Sequence, residues 1–188
     1  KYMRLIGVTG GVGAGKSEIL SYIRKHYKCQ IYLADEVAHL VKEKGQRCYF
    51  RLIELLGEDV LEPETGEINK KKMADMIFGD ELLLEKVNAI VHPEVRFYLE
   101  ERIWEAENSS DVELMFIEAA LLIEAGYKNL VHEMWYIYAR EEVRRARLKT
   151  SRNYSDEKID AIMQSQLSEE EFRKHCKVVI DNSDSLAW

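Results

Sequence analysis

The sequence predicts an α/β fold in which a mostly parallel β-sheet is covered by helices on both faces. Short apolar runs alternate along the chain with segments of helical periodicity, which is the order that parallel sheets require. The runs are apolar at successive positions, as strands buried on both faces usually are. With 188 residues, 46% of them apolar, the chain suits one globular unit, and no repeat or linker divides it.

Apolar runs mark strands at five places along the chain: Leu5–Val8, Ile31–Leu33, Leu114–Ile117, Met134–Tyr138 and Val178–Ile180. The first run ends in a glycine cluster, and a helical pattern follows it. Between the fourth and fifth runs lies a charged stretch, Arg140–His175, with a loop expected near Asn153. The alternation of strand and helix patterns therefore supports a parallel sheet.

A long segment between the second and third strands lacks a convincing strand. From about residue 45 to residue 107 the pattern is helical or loop, and we interpret it as an insertion into the α/β unit. Pro93 is expected at the first position of a helix that carries Val95, Leu99 and Ile103 on one face.

Composition and charge argue against several classes of function. The formal net charge is −7 and the isoelectric point is about 5.4, whereas a nucleic-acid-binding protein usually has a basic face. Cys29, Cys48 and Cys176 are too few and too scattered for a disulfide framework, and no cysteine pair or histidine cluster indicates a zinc site. The apolar stretch Leu5–Val8 is far shorter than a signal-peptide core or a membrane span. We therefore expect a soluble, cytoplasmic protein without a nucleic-acid or membrane partner.

A glycine-rich segment between the first strand and the first helix carries the strongest chemical signal. Residues 10–17, Gly-Gly-Val-Gly-Ala-Gly-Lys-Ser, fit the phosphate-binding loop (P-loop) pattern G-x-x-x-x-G-K-[ST]. The glycines let the backbone curl so that its N–H groups surround phosphate oxygens, and the helix N-terminus adds partial positive charge. Lys16 is expected to reach the β- and γ-phosphates of ATP, and the Ser17 hydroxyl to bind Mg²⁺. The predicted nucleotide-binding residues here are Gly11, Val12, Gly13, Ala14, Gly15, Lys16 and Ser17.

A P-loop indicates a nucleoside triphosphate but not the reaction. The Asn-Lys-x-Asp motif by which GTPases read their base is absent from the sequence. The chain is also short for a motor or a transporter ATPase. A small phosphotransferase is the class of P-loop protein that matches its size.

Several motifs, taken in order, resemble the dephospho-CoA kinase family, which adds the final phosphate in coenzyme A synthesis. They are Gly7–Ser17, Ala34–His39, Gly66–Lys70 with Phe78, Asn88–Val95, Leu121–Glu124 and Val179–Asn182. Each is weak alone, but the His-Pro element (Asn88–Val95) and the Leu-Leu-x-Glu element (Leu121–Glu124) are specific as a set, and the similarity covers nearly the whole chain. The resemblance implies a kinase that uses ATP and Mg²⁺ to phosphorylate the ribose 3′-hydroxyl of dephospho-CoA.

The resemblance also implies a three-layer P-loop NTPase fold with a five-stranded parallel sheet. Residues 1–44, 108–143 and 167–188 would form the nucleotide-binding core of a single kinase unit. Residues 45–107 would be a helical insertion that binds the CoA precursor, and residues 144–166 a lid over the phosphates.

The resemblance assigns catalytic roles to charged residues outside the P-loop. Asp35 would accept the proton of the attacking hydroxyl, although Asp is also favoured as a helix cap. Arg147 would offset the charge that builds up near the β/γ bridge. Glu118, directly after the third strand, could support the metal or open a turn. The other arginines nearby, Arg140, Arg144 and Arg145, are expected on the surface.

Binding roles are implied for four further residues. Asn182 would lie at the nucleotide, and His39 and Leu121 at the acceptor. His92 either contacts the acceptor or is a buried, hydrogen-bonded histidine at a helix start, which is the commoner role for such a residue.

The chain departs from the family pattern at several positions. Leu33, Lys70, Ala120 and Arg144 stand where Asp, Arg, Pro and Gln are usual. In the predicted lid, Ser151 and Ile162 replace arginines, and Arg152 could substitute for the first through a small register change. Because a lost lid arginine weakens transition-state stabilisation by orders of magnitude, two alternatives stay open. The chain could phosphorylate another nucleoside or nucleotide, or it could bind a nucleotide with little or no catalysis; a monomer is the default expectation.

Overall fold

The computed structural model describes residues 2–184. Within that part of the chain, five strands form one parallel sheet in the order β2-β3-β1-β4-β5. Their bounds are Arg4–Thr9 (β1), Gln30–Leu33 (β2), Leu114–Glu118 (β3), Glu133–Tyr138 (β4) and Val178–Asp181 (β5). The predicted α/β class and all the predicted strands are thus confirmed.

Strand β1 lies at the centre of the sheet, and its apolar sequence explains why. Its residues from Leu5 to Thr9 are all buried, which requires cover on both faces of the sheet. Ile6 lies opposite Phe116 of β3, and Val8 lies opposite Trp135 of β4. The carboxyl end of β1, where the P-loop begins, therefore lies between the carboxyl ends of two neighbouring strands.

Helices account for most of the remaining chain. They are Lys16–His26 (α1), Ala34–Val41 (α2), Arg47–Leu56 (α3), Lys70–Ile77 (α4), Glu81–Glu107 (α5), Glu141–Arg152 (α6), Asp156–Ser165 (α7) and Glu169–His175 (α8). The loop predicted near Asn153 is present, because this residue ends α6 in the left-handed conformation with φ 53°. No helix in the described residues is long and apolar enough to cross a membrane.

The chain divides into two compact units. The first contains the chain up to Tyr32 and from Ala106 onward, and the second is Leu33–Glu105. In the second unit, a bridge between Leu61 and Ile68 closes a turn over residues 62–66. The functional boundaries expected at residues 45–107 and 144–166 stay predictions.

Helix α5 contradicts the expectation that Pro93 opens a helix. It begins at Glu81, where the carboxylate of Asp80 accepts from the backbone N–H of Leu83 at 3.0 Å, and it continues through Pro93. Proline removes one backbone hydrogen bond from a helix interior. The apolar stripe explains the continuity, because its residues on both sides of the proline are buried: Val87, Val91, Val95 and Leu99.

A substitution at Gly10 tests how closely the end of β1 packs against β4. A Cβ at this position would overlap the backbone carbonyl oxygen of Ile137, which is fixed in the sheet. We expect Gly10→Ala to lower the free energy of unfolding by roughly 1–3 kcal/mol, as overpacking does, measured by urea denaturation.

The matched control is Gly45→Ala, because that glycine also has a positive φ, +92°, but has no atom within 4 Å of the added Cβ. There we expect only the backbone strain, about 1 kcal/mol. A larger loss at Gly45 than at Gly10 would contradict the proposed close packing.

Candidate functional site

The P-loop is built by glycines that adopt conformations other residues avoid. Gly13 and Gly15 have φ values of 84° and 89°, and the N–H of Ala14 donates to the carbonyl of Gly11 at 3.1 Å. No side chain caps the N-terminus of α1 at Gly15. The first N–H groups of α1 therefore border the loop, the arrangement in which helices bind phosphate.

Lys16 lies between the loop and the end of β3. Its Nζ donates to the carbonyl of Gly10 at 2.7 Å and is 3.7 Å from Oε1 of Glu118. Both side chains are mostly buried, with exposed fractions of 15% and 16%. Glu118 lies opposite Val8 at the carboxyl end of the sheet, so the lysine and the carboxylate meet beside the loop. The structure thus brings together two of the predicted site residues.

Asn182 supports the loop from the segment after β5. Its side-chain Nδ2 donates to the carbonyl of Ala14 at 2.9 Å, and its backbone N–H donates to Tyr138 at 2.7 Å. A Cβ at Gly15 would overlap this amide, so the contact needs glycine there. The adjacent turn is held by Ser183, whose hydroxyl and N–H groups lower the pKa of Asp181 by hydrogen bonding.

Arg147 supports the loop from helix α6. Its Nη1 donates to the carbonyl of Gly13 at 3.1 Å, and its Nη2 donates to the carbonyl of Asn182 at 2.6 Å. Both terminal nitrogens are thus bonded to backbone. In this structure the guanidinium ties α6, the P-loop and the end of β5 together, and contact with the β/γ bridge stays a prediction.

Arg144 and Gln166 also reach the P-loop, which the sequence reasoning missed. The expectation of a surface position for Arg144 is wrong: the residue is half-buried, its Nε donates to the carbonyl of Ala139 at 3.2 Å, and a Cβ at Gly11 would overlap its Nη1. Gln166 accepts from the N–H of Val12 through Oε1 at 3.4 Å. Arg144 and Arg147 are three residues apart and therefore share one face of α6. This spacing could have indicated that Arg144 also faces the loop.

Arg140 and Arg145 make ion pairs on the surface, as predicted. Arg140 pairs with Glu142 and Asp184, and Arg145 pairs with Asp160. Neither guanidinium bonds to the P-loop in these contacts.

A cleft of about 740 Å³ lies between α1 and α6. It is lined by the outward face of α1 and by Arg147, Thr150 and Ser151 of α6. Ser151, which replaces an arginine in the family pattern, therefore faces α1. Arg152 lies with its guanidinium 5.9 Å from the centre of the Tyr154 ring.

The predicted acceptor-side residues in the second unit are exposed. Asp35 is the second residue of α2, and His39 lies one turn later on the same face. Leu33 occupies the cap position of α2, and no side chain caps the helix, so the alternative of Asp35 as a helix cap is wrong. The roles of Asp35 and His39 at the acceptor stay predictions.

His92 and Leu121 are also exposed. His92 lies inside α5, so the alternative of a buried histidine at a helix start is wrong; α5 begins eleven residues earlier at Glu81 and turns this position outward. Leu121 lies in the turn after β3 with 53% of its surface exposed. Both positions leave a binding role open.

The oxygen ligands near the P-loop fit a magnesium ion. Magnesium prefers hard oxygen ligands and is usually bound through few protein groups together with substrate phosphates. The hydroxyl of Ser17, exposed in the first turn of α1, and the carboxylate of Glu118 have this chemistry. The residues described contain no group of three or more His, Cys, Asp or Glu side chains that could hold a metal ion by themselves.

Comparisons with known proteins find similar sequences and structures. A family model described as dephospho-CoA kinase matches residues 4–187. The dephospho-CoA kinase of Dehalococcoides mccartyi is 35% identical over 182 residues, which is 96% of this chain and 89% of that protein. The crystal structure of TT1252 from Thermus thermophilus matches with a TM-score of 0.81 and 30% identity, over 99% of this chain and 92% of that one. The dephospho-CoA kinase structure from Campylobacter jejuni, at 24% identity, has the same fold with a TM-score of 0.70 over 97% of this chain and 90% of that one.

Asn182→Ala tests whether the segment after β5 supports the P-loop. The substitution leaves the carbonyl of Ala14 without this donor, and an unsatisfied buried polar group costs about 1–3 kcal/mol. We expect a lower free energy of unfolding and weaker binding of Mg-ATP, measured by urea denaturation and by calorimetry.

The control is Asn129→Ala, which removes the same side chain at an exposed position. It should change the stability by less than about 0.5 kcal/mol and leave nucleotide binding unchanged. Equal effects of the two substitutions would show that Asn182 does not support the loop.

Proposed function

The chain belongs to the dephospho-CoA kinase family and is a phosphotransferase, and we propose that its P-loop site transfers the γ-phosphoryl group of ATP to the ribose 3′-hydroxyl of dephospho-CoA. The observation that carries the proposal is the P-loop with Lys16 held between the Gly10 carbonyl and the carboxylate of Glu118. A lysine at this place can move to the β- and γ-phosphates with a short displacement of its head group. Membership of the family indicates dephospho-CoA as the acceptor, and the P-loop indicates a nucleoside triphosphate as the phosphoryl donor.

Phosphoryl transfer depends mainly on positioning and on charge neutralisation. The inward N–H groups of the P-loop and the ammonium of Lys16 would bind the phosphate oxygens and hold the γ-phosphorus for in-line attack. Arg147 and Asn182 keep the loop in shape, because they bond to the carbonyls on its outer side. Arg147 and Asn182 would keep these hydrogen bonds before and during the reaction.

Asp35 is the proposed acceptor of the hydroxyl proton. The 3′-oxygen forms its bond to the γ-phosphorus as the bond from phosphorus to the β–γ bridging oxygen breaks; the proton passes to the carboxylate, and ADP leaves. Asp35 lies two residues after β2 and is exposed, so its carboxylate is available to an acceptor. His39, one turn further along α2, His92 and Leu121 complete the proposed acceptor contacts.

Magnesium belongs to the proposal through Ser17 and Glu118. When bound, the ion supplies positive charge to the β- and γ-phosphate oxygens. The hydroxyl of Ser17 would be its direct ligand. The carboxylate of Glu118 would support it, while also balancing the charge of Lys16.

A second candidate is a family member that binds a nucleotide with little turnover. The observation that favours it is the lack of charge at Ser151 and Ile162 in α6 and α7, where the family pattern carries arginines. Binding of Mg-ATP without release of ADP would distinguish this candidate, and turnover with a different nucleoside or nucleotide would indicate another acceptor.

A cytoplasmic location and a monomeric state complete the proposal. The cysteines of the described chain are free thiols, which suits a reducing compartment. Burial raises the pKa of Cys176 to about 11, so this thiol stays protonated at neutral pH. The small size of a single kinase unit supports a monomer, and light scattering of the purified protein would measure its mass.

Asp35→Asn tests the proposed proton acceptor. The amide keeps the size of the side chain but cannot take the proton, and general-base catalysis usually contributes about 10²- to 10⁴-fold. In a coupled assay of ADP release with Mg-ATP and dephospho-CoA, we expect kcat to fall by at least about 100-fold, with Mg-ATP binding unchanged.

Glu36→Gln is the matched control, since Glu36 is the exposed neighbour of Asp35 in the same first turn of α2. It should retain kcat. Wild-type turnover together with full activity of Asp35→Asn would refute the role of Asp35 but not the reaction. A wild-type chain that binds Mg-ATP and releases no ADP with dephospho-CoA would refute the reaction.

A further inference from the structure

The charge at the P-loop is distributed unevenly among the basic residues that reach it. Lys16 lies 3.7 Å from the carboxylate of Glu118, which offsets part of its positive charge. Both terminal nitrogens of Arg147 donate to backbone carbonyls. Transfer of a phosphoryl group needs positive charge at its oxygens, so a further basic residue beside the loop would add to the charge of Lys16.

Arg144 lies beside the first residues of the P-loop. The guanidinium is placed over Gly11, since a Cβ there would overlap Nη1 and would lie 3.3 Å from Cζ. Its backbone packs against Gly13, where an added Cβ would meet the Arg144 carbonyl oxygen at 2.9 Å. The side chain thus crosses from one glycine of the loop to another and ends above the first of them.

Gln166 contacts the same part of the loop and accepts a hydrogen bond from it. Its Oε1 accepts from the N–H of Val12 at 3.4 Å and lies 3.1 Å from the Cβ position of Gly11. A P-loop N–H donates to phosphate oxygens when a nucleotide binds, and here it donates to an amide oxygen. The guanidinium of Arg144 and this amide oxygen converge on the same residue, Gly11.

The position of Arg144 is maintained by the segment that leads into its helix. Its Nε donates to the carbonyl of Ala139 at 3.2 Å, just before α6 begins at Glu141. This bond fixes the plane of the guanidinium and leaves the terminal nitrogen Nη1 directed at Gly11. A planar, fixed guanidinium is suited to binding phosphate oxygens through several N–H groups.

We propose that Arg144 is a catalytic residue that binds the γ-phosphoryl group and stabilises the charge on its oxygens during transfer. The proposal rests on the proposed kinase function of the P-loop. Gln166 would leave the N–H of Val12 as phosphate binds there. Arg147, one turn later on α6, keeps its separate task of holding the loop.

The first test measures turnover with dephospho-CoA in Arg144→Gln and Arg144→Lys. Removing a charged donor at a developing oxyanion costs about 10²- to 10³-fold, so we expect kcat of Arg144→Gln to fall by at least about 100-fold. Arg144→Lys, which keeps the charge without the planar group, should retain more activity than Arg144→Gln. Thermal denaturation of both variants checks that the fold persists.

Arg145→Gln is the matched control. It removes the same charge from the next residue of α6, where the guanidinium makes surface ion pairs with Glu141 and Asp160. Such pairs contribute little, so kcat should stay within about twofold of wild type. Arg144→Gln activity as high as that of Arg145→Gln would overturn the proposal.

A binding experiment separates the role of Arg144 from the identity of the acceptor. Calorimetry without dephospho-CoA should show that Arg144→Gln weakens Mg-ATP binding about tenfold more than Mg-ADP binding, because only ATP carries the γ-phosphate; about 1.4 kcal/mol corresponds to this factor. Equal losses for both nucleotides would refute the contact. If wild type fails to phosphorylate dephospho-CoA, the proposed acceptor is wrong, and this comparison still decides the role of Arg144.

Discussion

The P-loop depends on hydrogen bonds to the carbonyl groups on its outer side. A loop that directs successive N–H groups at a phosphate turns carbonyls the other way, and buried carbonyls need donors. Here the carbonyls of Gly10, Gly13 and Ala14 accept from Lys16, Arg147 and Asn182. The donors come from α1, α6 and the segment after β5. The anion-binding loop therefore forms only when distant parts of the chain fold together.

Two other contacts explain how the groups that would meet phosphate are kept in place. The ammonium of Lys16 lies near the carboxylate of Glu118, and the N–H of Val12 donates to the amide oxygen of Gln166. In each case an oxygen atom of the protein occupies the place that a phosphate oxygen could take when a nucleotide binds. The polar groups of the loop are thus satisfied by exchangeable contacts, so that nucleotide binding leaves few of them unpaired.

The two arginines of α6 illustrate why residue type alone does not reveal a role. Arg144 and Arg147 lie one turn apart and face the loop, yet the first reaches Gly11 and the second bonds to the carbonyls of Gly13 and Asn182. Arg145 lies between them in sequence and points to Asp160. A rotation of about 100° per residue separates these environments, and the surrounding elements decide what each guanidinium meets.

The sequence by itself determined the elements whose signals are local. Apolar runs predicted every strand, and the glycine spacing with Lys16 and Ser17 predicted the P-loop, because backbone conformation and burial of a strand depend on nearby residues. Tertiary structure decided the rest. The burial of an apolar stripe carried α5 through Pro93 and placed His92 on an exposed face, and the packing of α6 against the loop brought Arg144 to Gly11. These outcomes depend on contacts between residues far apart in the chain, which no local pattern of charge or hydrophobicity encodes.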